Sequence, residues 1–407
     1  MEKALKLFKS LFKNKKGSDS VLSFFIFFLL LTSLLFTSSA SINTGTTVAS
    51  TLKNIIKQVV ILSGACVLYN FFSNIFDIKR CKRYINVWLT LELLLLLAAY
   101  IWCKIHGSIN GNYSWITIGL GPFQFGIQPS EFAKVMIILA VACLIGDKRF
   151  KNINSKWQMV RIPAIFLALY CFVIFILQKD AGSFLIVAIV GVSCFLFTNN
   201  PKLKGCRRLI LFLGFAAIGF YFYCLFDENG RKILAKFSVT FAARFAAVTN
   251  PDYNNDATRE IFYSLLGISN GNLLGVGLGN SVQKFGYLVS SDADYIFAVI
   301  VEECGLIGIA AVFVPYIFII YRLIYYSRQM EKESDKIILL GTVVYLAIHF
   351  LFNIGGVSGF LPLTGVPLLL VSRGGSATFS IMSLLGICQN RISNYYAEKK
   401  AKSVFIN

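Results

Sequence analysis

Acidic residues are scarce in this chain: 20 Asp and Glu stand against 39 Lys and Arg, and charged residues of either sign fill only 14% of 407 positions. Soluble domains carry about 25% charged residues, so a soluble globular class is excluded. Histidine is scarcer still, with His106 and His349 alone. Both are read as structural, which removes a histidine-based metal centre, and no metal ligand is assigned. The ten cysteines form no C-x-x-C pair, and no two share an expected outer loop. Neither a zinc site nor a disulfide framework follows. No internal repeat is evident, which weakens an inverted-repeat transporter architecture.

What the chain has instead is hydrophobic length. Apolar residues make up 56% of it, in runs close to the ~20 residues that span a bilayer. Ten spans are expected, near 20–39, 58–76, 85–106, 130–146, 162–178, 184–198, 209–226, 295–321, 337–353 and 374–390. The fold class is therefore an all-α polytopic membrane protein with ten transmembrane helices. The net charge of +19 does not point to nucleic acid, because the basic residues sit in short clusters such as "KRCKR" (79–83) between spans. The positive-inside rule then places both termini in the cytoplasm. It also puts two long loops, 107–129 and 227–294, outside. The apolar run before "SSAS" (38–41) is read as a retained first span, not a cleaved leader.

Three parts are expected: a basic amphipathic segment 1–19, a membrane domain 20–391, and a cytoplasmic tail 392–407. The first segment sets Leu5, Leu7, Phe8, Leu11 and Phe12 against Lys6, Lys9 and Lys13. Such a helix lies flat on anionic lipid, or simply orients the first span. "KILAKFSVTFAARFAAV" (232–248) is too polar to span and is expected at the outer interface.

Four polar islands open outward. "QPSEFAKV" (128–135) holds Glu131 and Lys134 three residues apart, spaced to pair on one helical face. "QKDAGS" (178–183) carries Asp180, either a helix cap or a site residue. "GVGLGNSVQKFGYLVSSDADYIFAVIVEECG" (275–305) combines glycines that are a weak phosphate-loop signal with Lys284, Asp292, Asp294, Glu302 and Glu303. Asp294 directly precedes an apolar run, so its plain role is N-cap of that helix. Glu302 and Glu303 lie about 12–13 Å deeper at helical rise. Intramembrane acids are functional candidates by default, with pairing to another helix as the plain alternative. "NIGGVSGFLPLTGVPLLLVSRGGSA" (353–377) is too rich in Gly and Pro to span regularly and is expected to fold back near the surface, with Arg373 outside.

In this order the islands resemble the SEDS family, represented by FtsW, RodA and SpoVE, over about residues 20–391. "GLGNSVQK" resembles the division member FtsW more than the elongation member RodA. The resemblance implies a ten-helix peptidoglycan glycosyltransferase that polymerises lipid II outside the bacterial cytoplasmic membrane. It implies as partners lipid II and the growing glycan strand, a class B penicillin-binding protein, other division or elongation machinery, and membrane lipids. The essential outer-loop aspartate falls on Asp294, the catalytic candidate. Gln128, Ser130, Glu131, Lys134, Lys179, Asp180, Lys284 and Arg373 become substrate-binding candidates, and Glu302 and Glu303 a structural pair. The chain departs from the pattern at Ser114 (an arginine is usual), Lys179, Leu369, Arg373 and "LVSSDAD" from Leu288.

The implied chemistry needs a base for a sugar hydroxyl and cations for a diphosphate leaving group. Lys284, Arg373, Lys179, Arg244, Lys53 and Lys57 are the cation candidates. No cofactor is called for; Mg2+ between carboxylate and diphosphate fits the chemistry, but a metal requirement is not legible. A lipid flippase or ion-coupled transporter using Glu131, Glu302 and Glu303 remains the alternative, as does a non-catalytic scaffold or an elongation role.

Overall fold

The computed structural model describes residues 17–42, 47–108, 111–119, 125–146, 156–199, 203–237, 245, 248 and 258–404. Arg244, the segment 1–16 and most of 238–257, on which expectations were placed, lie outside the described residues. The helices are α1 (Ser20–Ala40), α2 (Val48–Ile75), α3 (Ile78–His106), α4 (Ser130–Leu144), α5 (Lys156–Phe172), α6 (Ala181–Leu196), α7 (Lys204–Phe226), α8 (Glu228–Phe237), α9 (Arg259–Gly271), α10 (Ile296–Gln329), α11 (Glu333–Val357) and α12 (Gly375–Val404). A π-helical turn, Val173–Leu177, follows α5.

Among the described residues seven helical segments are long and apolar enough to cross a membrane: α1, α2, α3, α5 with its π turn, α7, α10 and α11. This is a multi-pass membrane protein. The other three expected spans coincide with α4, α6 and α12. Helix α4 has 15 residues and α6 has 16, about 22–24 Å at helical rise, short of a ~30 Å hydrocarbon core. Both begin at polar turns that line a cavity. Helix α12 runs on to Val404, past the expected end of its span at 390.

Local chemistry sets the helix boundaries. Asp19 caps α1, accepting from the amides of Val21 at 2.9 Å and Leu22 at 3.3 Å, and its other oxygen takes Arg322 Nε of α10 at 2.6 Å. One side chain thus ends a helix and ties it to its neighbour. Helix α12 packs along α2, α10 lies against α1, α9 and α11, and α4 sits between α3, α6 and α11. One continuous apolar core joins them.

The expectation of an all-α fold needs one correction. Ile116–Ile118 and Phe125–Ile127 pair as antiparallel strands β1 and β2 in the 107–129 loop, with Ile116 opposite Ile127. Short runs holding β-branched and aromatic residues, here Ile-Thr-Ile and Phe-Gly-Ile, form such a pair when a support is present. Here Cys103 Sγ reaches Trp115 O at 3.0 Å and Trp102 Nε1 donates to Thr117 Oγ1 at 3.3 Å, fixing the hairpin to the end of α3.

The glycines at 271–279 also have a role other than the one expected. Helix α10 breaks at Gly305, where φ is +56°. The break frees backbone carbonyls, and a buried carbonyl needs a donor. Val276 N donates to Glu302 O at 2.9 Å and Gly277 N to Glu303 O at 3.0 Å, while Leu306 N reaches Leu273 O at 3.0 Å. Backbone packs on backbone here, so this glycine stretch repairs a broken helix and is not a phosphate cradle. A Cβ at Gly275 would collide with Glu303 O, whereas one at Gly279 would meet open space; both residues have positive φ. Gly275→Ala is expected to lower the unfolding temperature of detergent-purified protein well beyond Gly279→Ala, which carries only the left-handed cost of about 1–2 kcal/mol. Equal losses would show that close approach is not what fixes Gly275.

Candidate active site

A polar cavity of about 740 Å³ opens at the end of the bundle where α4, α6, α10 and α12 begin. Its walls are the 111–115 loop, the turns 128–134 and 179–186, the loop 289–294, the segment 363–367, and the start of α12. All four polar islands therefore contribute to one cavity.

Asp294 lines it, on a loop pinned from three directions. Asn353 Nδ2 donates to Asp294 O at 2.8 Å and to Val366 O at 2.9 Å. Ser372 Oγ donates to Ala293 O at 2.7 Å. Arg373 N donates to Asp292 O at 2.9 Å, and its guanidinium meets Asp292 Oδ2 at 2.6 Å and Asn54 Oδ1 at 3.1 Å. The expected N-cap role does not hold: α10 starts at Ile296, Tyr295 occupies the cap, and that side chain makes no capping hydrogen bond. Asp294 lies one residue too early to close the helix, with its Oδ2 about 3.8 Å from where a Cβ of Gly365 would stand.

Asp180 does cap its helix. Its Oδ1 accepts from Ser183 N at 3.0 Å, while Oδ2 accepts from Gln128 Nε2 and Ser183 Oγ, each at 2.9 Å. Ser130 Oγ donates to Ser183 Oγ at 3.2 Å. The islands at 128 and 178 are thus joined by side chains that sequence alone left separate. A Cβ at Gly182 would come 2.6 Å from Thr364 O, which brings the third wall into contact.

Below them lies a buried chain of polar groups. Lys134 Nζ donates to Glu131 Oε1 at 2.6 Å and lies 3.1 Å from His349 Nε2. Tyr345 donates to Glu131 Oε2 at 3.0 Å. An ammonium only donates, so His349 Nε2 accepts, and Nδ1–H is left to donate to Pro367 O at 3.2 Å. His349 is therefore the neutral Nδ1–H tautomer, linking α4 to the cavity wall.

Other candidates fall elsewhere. Lys284 does not line the cavity. It is fully buried, donating to Glu303 Oε1 at 2.9 Å, Ser39 Oγ at 3.0 Å and Gly279 O at 2.7 Å. Glu302 accepts from Ser281 Oγ at 2.5 Å and from Gln283 N at 3.3 Å. Both acids hold the 272–290 loop to the broken helix, and the spacing that hid this is tertiary. Arg373 and Lys179 do line the cavity. Lys53 and Lys57, on α2, lie at the Arg373–Asp292 corner, where Lys57 feels the charges of Arg373, Lys53 and Asp292. Ser114 is fully buried and does not line the cavity.

Three residues escaped the sequence reading. Glu260, at the start of α9, lines the cavity. Asn353 clamps two of its walls. Glu92 is a buried acid in α3, and the lone carboxylate in "LELLLLL" was its legible signal. Among the described residues no three His, Cys, Asp or Glu side chains assemble as a metal site.

A bundle of apolar helices enclosing a polar cavity at one end, walled by loops that fold back between helices, defines a multi-pass membrane protein with a candidate site at one end of its bundle. The sequence model described as "Cell cycle protein", that of FtsW, RodA and SpoVE, matches residues 20–397, and the chain belongs to this family. It is 33% identical over 316 residues to the Bacillus subtilis (strain 168) protein named "Probable peptidoglycan glycosyltransferase FtsW", covering 76% of this chain and 75% of that one. Its fold matches a chain from a solved peptidoglycan synthase complex that coordinates polymerization and crosslinking. That match has a TM-score of 0.69 and 21% identity, over 93% of this chain and 98% of the other. It also matches the crystal structure of the Thermus thermophilus rod shape determining protein RodA, with a TM-score of 0.63 and 22% identity, over 94% and 99%.

Proposed function

We propose that the chain is a peptidoglycan glycosyltransferase that polymerises lipid II into glycan strands at the outer face of a bacterial cytoplasmic membrane, in septal synthesis. Its crosslinking partner is a class B penicillin-binding protein. Family membership and the names of the curated relatives support this reading. The observation that carries it is Asp294, a carboxylate held on a triply anchored loop at a polar cavity of about 740 Å³. The topology that goes with it has ten crossings, both termini in the cytoplasm and the cavity outside, following the placement of Lys and Arg.

In the reaction, a sugar hydroxyl of incoming lipid II attacks the anomeric carbon of the donor strand. The bond from that carbon to the diphosphate oxygen breaks, and polyprenyl diphosphate leaves with the electron pair. An alcohol is a weak nucleophile, so a base that takes its proton during attack lowers the barrier. Asp294 has that role. Gln128, Asp180 and Ser183 form a braced polar wall suited to sugar hydroxyls, with Ser130, fully buried and not itself in the lining, supporting it from behind; Glu131, Lys134, Lys179 and Arg373 complete the lining. Because both substrates are tethered to lipid, holding them side by side supplies much of the acceleration.

Strand formation from lipid II by the purified protein and its partner in detergent tests the reading, since a flippase has no membrane to work across there. Glycan strands are the expected product; their absence from a folded, partner-bound complex supplied with lipid II would overturn it.

We assign Lys284, Glu302 and Glu303 to structure. Glu303→Gln leaves the buried Lys284 ammonium without its counter-charge, a change that costs about 3–5 kcal/mol when a buried pair is broken outright. Reduced abundance with retained partner binding is expected in membrane fractions. Full abundance with no polymerisation would place Glu303 in the catalytic set instead.

A further inference from the structure

We propose that Lys104 and Lys179, set around the ring of Tyr113, form an anion subsite at the cavity rim that takes the diphosphate of the lipid-linked substrate. The assignment rests on the glycosyltransferase reading, and it deepens that reading by naming what this corner binds. Lys104 Nζ lies 5.0 Å from the Tyr113 ring centroid, and Lys179 Nζ lies 6.0 Å from the same centroid. Both lysines are exposed. Among the described residues neither has a carboxylate within ion-pair distance.

Lys179 lines the cavity, and Lys104, just outside the lining, shares the Tyr113 ring with it. Among the described residues, the other two cations of the lining are committed. Lys134 is fully buried on Glu131 and His349, and Arg373 is held by Asp292 and Asn54. A departing diphosphate needs positive charge that is not already neutralised. The pair around Tyr113 supplies it.

The geometry is also fixed. Tyr113 N donates to Gln178 O at 2.8 Å, so the ring and the Lys179 turn move together. Gln178 Nε2 donates to Leu96 O at 2.8 Å, tying that turn to the helix that carries Lys104. Lys179 has φ +57°, one of three non-glycine residues with positive φ among the described residues. Such strain persists where the surroundings over-determine it, and it clusters at ligand clamps. Two like charges on one ring repel, and a dianion between them removes the repulsion.

The same phosphate chemistry occurs on bilayer phospholipids, so the test has two arms. Wild-type protein, Lys104→Gln, Lys179→Gln and the double variant are placed in phosphatidylcholine nanodiscs. Farnesyl diphosphate is titrated in one arm and phosphatidylglycerol in the other, with binding read by native mass spectrometry. Each single change is expected to weaken farnesyl diphosphate about 10-fold and the double change about 100-fold, in line with one charge-assisted contact per lysine. Lys179→Arg should keep most of the affinity. Because both side chains are exposed, unfolding temperatures should stay unchanged.

Unchanged farnesyl diphosphate affinity in the double variant would overturn the subsite. So would a loss confined to phosphatidylglycerol, which would make it a phospholipid site. Lysine-dependent diphosphate binding by a protein that makes no strands would leave the subsite standing and remove the glycosyltransferase reading. Normal strand formation with an insensitive double variant would do the reverse.

Discussion

Asp294→Asn is expected to accumulate to wild-type levels, bind its penicillin-binding partner, and lose polymerisation by at least about 100-fold, the lower range for a positioned base. The amide keeps the size of the side chain and cannot take up a proton as a carboxylate does. Abundance should hold because three anchors of the loop bond other groups than that carboxylate. Asn353 bonds the backbone of Asp294, Ser372 bonds Ala293, and Arg373 bonds Asp292. Helix α10 does not depend on it for its cap either. Asp292→Asn should act differently, loosening the Arg373 contact and with it the placement of the loop. Quantifying strands made by equal amounts of each purified variant checks both. Wild-type activity in Asp294→Asn would send the search for the base to Asp180.

Lys134→Ala should unfold the protein well below the wild-type temperature. Removing one partner of a buried pair leaves the other charge uncompensated, at about 3–5 kcal/mol. In this site the loss is compounded, because Lys134 also fixes His349, which holds Pro367 in the cavity wall. Replacing both partners by apolar residues of similar size is often neutral for stability. Glu131→Leu with Lys134→Met should therefore recover much of the unfolding temperature. If the pair also binds substrate, polymerisation stays low in the rescued protein. Recovery of both stability and activity would make the pair a structural brace alone. Thermal unfolding followed by strand assay of the same samples separates the two outcomes.

What was legible from residues alone follows the range of the interactions. Helix positions came from apolar runs, and the Glu131–Lys134 pair came from a spacing of three on one helix. Asp180 as a cap is also local, a polar residue just before a helix. The same local rule misassigned Asp294, because a one-residue shift of the helix start decides which side chain caps it. That Lys284 is buried away from the cavity was not legible, for a tertiary reason. Its partner is 19 positions away, across a loop that folds onto the break at Gly305. Glycine density signals close backbone approach without saying what approaches, and here the neighbour is another backbone. Glu260 carries no motif of its own, and only the fold brings it to the cavity.

The most direct measurement is a structure of the Asp294→Asn variant, with its penicillin-binding partner and lipid II, trapped before turnover. The acceptor hydroxyl of lipid II should lie within about 2.6–3.2 Å of the side chain at position 294, the reach of a general base, with the sugars inside the cavity between the 128–134 and 363–367 walls. A lipid II headgroup bound outside that cavity, or one inside it with no hydroxyl near position 294, would contradict the assignment of Asp294 as the base.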